Sequence, residues 1–193
     1  MKNKKRSIRR RLGGGGWWFA VAVMVGLGSP GVWATNTPVD ATITVTPIVN
    51  VSLSISPTTY AFGALAVNTS SVTASKLTLS NNGDVDVTVD KRIQSDPANW
   101  IADVSTTTPN HYELYVATAT TRPNLTDFST ANHRFGAVSA VTALKGLGGS
   151  SPVVSTSGGT LPSVDLWFRL DMPTAVTTSA AQTITVRFTG TGQ

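Results

Sequence analysis

Asp84-x-Asp86-x-Thr88-x-Asp90 places oxygen donors at every second position, alternating with Val85, Val87 and Val89. Carboxylates gathered on one strand face are the ligands that a hard cation such as calcium takes. Side chains two apart on a strand stand ~7 Å from each other, so one ion would need a second loop to complete its shell. The stretch also lacks the glycine and the closing glutamate of an EF-hand loop. A solvated strand face whose charges discourage edge pairing outweighs the calcium reading. No other cofactor is expected. His111 and His133 have no Cys or second His at ligand spacing, and each follows an asparagine, so both read as surface residues. Glu113 is the sole glutamate, which leaves no carboxylate pair spaced for glycoside hydrolysis. Ser150 and Ser151 follow Gly148-Gly149 without the G-x-S-x-G elbow of a nucleophilic serine. An enzyme is therefore not expected. Trp167 and Arg169 form the last candidate pair: they stack on a sugar ring or anchor a subunit contact, or they belong to a strand covered on both faces.

The charge balance narrows the partners. Lys2, Lys4, Lys5, Arg6, Arg9, Arg10 and Arg11 precede a short apolar core, Trp17–Leu27, a Ser-Pro-Gly breaker and Val32-Trp33-Ala34. Basic cluster, apolar core and small residues in that order predict a secretory signal peptide over residues 1–34. The apolar core falls short of the ~20 residues that a spanning helix needs, so no membrane span is expected after cleavage. The formal charge of +5 belongs to this leader, which holds 7 of the 15 basic residues and no acidic ones. The rest carries eight basic against ten acidic residues, a net charge of −2. That removes the electrostatic case for nucleic acid. The 159 residues after the leader suit one domain, and with no cysteine it must hold together by packing and sheet hydrogen bonds.

All of these residues are expected on strands or on the turns between them. Thr, Ser, Val, Ala and Gly dominate, and long helical patterns are lacking. Val39–Ile55 alternates apolar and small polar residues almost throughout, and Pro47 divides it into Ala41–Thr46 and Val49–Ser54. Asn81-Asn82-Gly83-Asp84, between Lys76–Ser80 and the Val85/Val87/Val89 run, is the strongest hairpin signal. Tyr112–Thr118 reads as a strand with either Tyr112, Leu114 and Val116 or Tyr115 and Ala117 facing inward. Phe128, Phe135, Val138, Val141 and Leu144 are expected to cover the sheets. Lys145–Pro162 reads as an exposed Gly/Ser/Pro loop. Val164, Leu166, Phe168 and Leu170 share one strand face, and Ile184, Val186 and Phe188 another. Seven to nine short strands of this kind predict an all-β, antiparallel sandwich of immunoglobulin-like or jelly-roll-like form over 48–193, with residues 35–47 as an extension or first strand.

Tyr60–Val89 resembles a recurring immunoglobulin-like pattern of the abnormal-spindle/hydin type and of bacterial surface modules. Phe62-Gly63, Asn81, Gly83 and the Val85/Val87/Val89 run carry the resemblance over about 30 residues. It implies a fold and no function. A leader followed by a cysteine-free sandwich is also similar to fibre-forming surface proteins of the camelysin kind. Two functions are expected on these grounds. One is a secreted or cell-surface structural subunit, fimbrium-like, that joins copies of itself by strand addition through Ala41, Ile43 and Val45, with Pro47 as hinge. The other is a monomeric adhesion module that binds a glycan or a surface protein through Trp167 and the 145–162 loop. A periplasmic location is the alternative to an extracellular one.

Overall fold

The computed structural model describes residues 40–156 and 158–193; the signal-peptide reading lies outside them. The chain divides between Val45 and Thr46 into two compact units. Of the first, Asp40–Val45 is described. It is exposed and forms no strand.

The second unit is an all-β sandwich. Its strands are β1 (Leu53–Ser56), β2 (Ser70–Val72), β3 (Leu77–Asn81), β4 (Val87–Ser95), β5 (Ile101–Ala102), β6 (His111–Thr118), β7 (Thr142–Ala143), β8 (Val153–Val154), β9 (Ser163–Asp171) and β10 (Thr185–Gly192). One sheet runs β1-β3-β9-β6-β5, with β2 also paired to β9. The other runs β10-β4-β7, with β8 also paired to β4. All pairings are antiparallel except the two-residue β5–β6 pair.

Period-two alternation builds the core between the sheets. Leu77 and Leu79 of β3, Val87, Val89 and Ile93 of β4, Tyr112, Leu114 and Val116 of β6, and Val164, Leu166, Phe168 and Leu170 of β9 meet there. Both readings of β6 hold, because its opposite face is covered as well. Tyr115 and Ala117 pack with Val72, Phe128 and Trp167 in a second, smaller core. The long connection between β6 and β7 supplies that cover through a 3-10 turn at Leu125–Asp127 and the segment around His133. Phe128, Phe135 and Leu144 are buried as expected, whereas Val138 and Val141 face solvent.

The Asn-Gly turn does not form a hairpin. β3 lies in one sheet and β4 in the other, so residues 82–86 are a corner between layers. A type I′ hairpin needs positive φ at both central residues, and neither Asn82 nor Gly83 has it. Asn81 builds the corner instead. Its side chain accepts from the Gly83 N–H (2.9 Å) and donates to the carbonyls of Val85 (2.7 Å) and Val154 (3.1 Å). Gly83 is required by close approach, because a Cβ there would stand 2.3 Å from the Asn50 carbonyl oxygen.

The start of the sandwich also shifts. β1 begins at Leu53, four residues after the expected Val49, and Ile48 and Val49 are exposed. Asn50 and Ser52 run beside the corner, accepting from the N–H groups of Asp84 and Asn82. The loop 145–162 is likewise less exposed than its composition predicts. It contributes β8, and Val154 is fully buried against the core.

Candidate functional site

Asp84 and Asp86 precede β4, so of the three aspartates only Asp90 stands on a strand. The Asp84 carboxylate accepts the Asn50 N–H, and that of Asp86 accepts the Thr156 N–H at 2.9 Å. These two groups tie loops to the corner. Among the described residues no three acidic, His or Cys side chains are grouped to hold a metal ion.

Glu113, Tyr115, Arg134, Arg169 and Asp171 form a polar network on the outer face of β6 and β9. The register sets Glu113 opposite Asp171 and Tyr115 opposite Arg169. Arg169 grips Asp171 through two bonds of 2.7 and 2.6 Å, donates to the Leu125 carbonyl at 3.0 Å, and lies over the Tyr115 ring. Glu113 accepts from the Tyr115 hydroxyl and from Arg134, both at 2.8 Å. Burial, then the bond to Glu113, raises the Tyr115 hydroxyl above its ordinary pKa. Every carboxylate here has a charged or hydroxyl partner, so the network clamps the β6–β7 connection to the sheet.

Trp167 takes the covered reading. Its ring is 7 % exposed within the second core, and its indole N–H donates to the Ala119 carbonyl at 2.9 Å. Of the two expected readings, sugar or subunit contact and a strand covered on both faces, the second fits: Trp167 spends both its apolar face and its polar atom inside the domain.

His133 corrects the surface reading. It is fully buried: Nδ1 accepts the Ser129 N–H (2.8 Å) and Nε2 donates to the Gly146 carbonyl (2.9 Å). Two satisfied ring nitrogens allow a neutral imidazole to be buried, and that burial lowers its pKa. His111 is half-buried and lies 3.3 Å from the Asp103 carboxylate. Lys91, which sequence reasoning missed, is 1 % exposed. Its ammonium donates to the carbonyls of His133 (2.7 Å) and Asn132 (3.2 Å) and lies 5.3 Å from the Phe135 ring centre. Burial, helped by Lys145, lowers its pKa to about 7. Only its place in the Val87-x-Val89-x-Lys91-x-Ile93 alternation could have signalled it.

The remaining candidate is an assembly surface. Ile43 and Val45 are 87 % and 78 % exposed, and Ala41 is exposed with them. They form an alternating apolar row on a backbone without strand partners among the described residues. The sandwich, for its part, is closed unevenly. Val87, Val89 and Ile93 of β4 are at most 2 % exposed. Leu53 and Ile55 of β1, and Ile184, Val186 and Phe188 on or beside β10, are only half-buried against the same core.

Comparison with protein families, with curated proteins and with solved structures finds no match.

Proposed function

We propose that this chain is a non-enzymatic structural protein of the cell exterior that assembles with copies of itself by adding its N-terminal segment to a neighbour's sheet. The carrying observation is the exposed row Ala41, Ile43 and Val45, without strand partners among the described residues, whose spacing is that of a strand with one apolar face. An exposed Ile or Val side chain gives up about 1.5–3 kcal/mol that burial would supply. The backbone of the same segment, without a strand partner among the described residues, can add a ladder, the usual source of affinity in strand addition. The polar side chains that chemistry would recruit are engaged in clamps and corners, in keeping with a structural role. The rival adhesion reading loses its main support, because Trp167 is committed to the second core.

The test compares the full chain with an Ile43→Asp/Val45→Asp variant by sedimentation velocity and negative-stain microscopy. Linear oligomers or filaments are expected for the chain, and monomers with an unchanged circular-dichroism spectrum for the variant. Uniform monomers of the unaltered chain, or equal assembly of both, would sink the proposal.

A further inference from the structure

We infer that the acceptor is the free edge of β10 in a second copy, paired antiparallel so that Ala41 faces Phe188, Ile43 faces Val186 and Val45 faces Ile184. This rests on the strand-addition reading and specifies its partner surface. β10 is hydrogen-bonded along one side to β4, and its other side has no strand partner among the described residues. It is eight residues long, whereas the edge strands β1 and β5 have four and two. Pro57 follows β1 at once and cannot donate to a ladder. β10 is therefore the longest template that the sandwich leaves open.

The inward row of this edge has a defined length. Ile184, Val186 and Phe188 are half-buried side chains at period two. The next inward position is Gly190, where a Cβ would already stand 3.0 Å from Leu53 Cδ1, and at Gly192 a Cβ would stand 3.0 Å from Val85 Cγ2. Side chains of the domain itself fill that end, so three positions are left to be covered. The exposed segment offers three apolar side chains at the same period. Antiparallel pairing sets the smallest, Ala41, against the largest, Phe188.

Charge selects the same direction. Thr42 and Thr44 then lie on the outward face opposite Arg187 and Thr185, and Asp40 falls diagonal to Arg187. Arg187 is exposed and has no ion-pair partner among the described residues. A diagonal opposite-charge pair on a sheet is favourable. Parallel pairing would set Thr42 opposite Thr185 and carry Asp40 away from the arginine.

The chain has no native cysteine, so introduced thiols report pairing directly. Full-length Thr42→Cys and Arg187→Cys variants, mixed under conditions of assembly and oxidised, are expected to give a disulfide-linked dimer on non-reducing gels. The yield should exceed that of a Thr42→Cys plus Thr185→Cys mixture at least tenfold. All three positions are exposed, so folding is not at stake. Assembly with no Thr42–Arg187 link, or with the Thr185 link preferred, would overturn the acceptor or its direction and leave strand addition standing. A doubly substituted chain that closes on itself as an internally linked monomer would overturn the second copy as partner. Absence of assembly by sedimentation would remove both this inference and the reading beneath it.

Discussion

Lys91 makes the stability of the sandwich depend on alkaline pH in a calculable way. In the unfolded chain its ammonium titrates near 10.5; in the folded one, desolvation and Lys145 bring it to about 7. Between those values the unfolded state holds the extra proton, so stability rises with pH. The contribution is fully present above about 10.5 and is lost as pH falls to about 7. The slope reaches about 1.4 kcal/mol per pH unit, and the whole window is worth on the order of 5 kcal/mol. Lys91→Met removes the charge, keeps most of the stem beside Phe135, and leaves the His133 carbonyl still bonded by the Val116 N–H. Urea denaturation of both proteins at pH 7, 8, 9 and 9.5 isolates this term, because the other titrating groups cancel in the difference. At pH 7 the variant is expected to match or exceed the parent, as buried charges often cost more than they return. By pH 9.5 the parent should have gained about 2–3 kcal/mol on the variant. A difference independent of pH, or one of opposite sign, would show that Lys91 does not occupy the buried position among backbone carbonyls described above.

Trp167→Ala is expected to destabilise the domain by about 3–5 kcal/mol, since it empties the second core and orphans the Ala119 carbonyl; a thermal melt unchanged within error would return the ring to the surface. Asn81→Ala, read by the same melt, should cost about 2–4 kcal/mol, because it strips the inter-sheet corner of three hydrogen bonds at a buried position.

The sequence was most legible where one face of a strand is wholly apolar. Val164/Leu166/Phe168/Leu170 and Ile184/Val186/Phe188 read directly as β9 and β10, because the inward row of each is apolar without interruption. Tyr112–Thr118 was legible as a strand but not in its inward face, since both faces are buried by different partners. The Asn-Gly corner misled, because a turn's residue types do not say whether its flanking strands pair with each other or enter opposite sheets. That choice is made by distant groups, here Val154 and Asn50 against Asn81 and Gly83. His133 and Lys91 were illegible for the same reason. Their burial depends on carbonyls at Gly146, Asn132 and His133 that converge only in the folded chain. At the N-terminal segment, the alternation of Ala41, Ile43 and Val45 was visible, while its lack of strand partners among the described residues needed the structure.

Hydrogen exchange on assembled and dissociated protein tests the central claim most directly, because it reports on donor and acceptor amides at once. Slowed exchange is expected to appear together in Ala41–Thr46 and in the outward-facing amides of Thr185–Thr189 on assembly, and to be lost together in the Ile43→Asp/Val45→Asp variant. Assembly that leaves Ala41–Thr46 exchanging as fast as in the monomer would contradict strand addition.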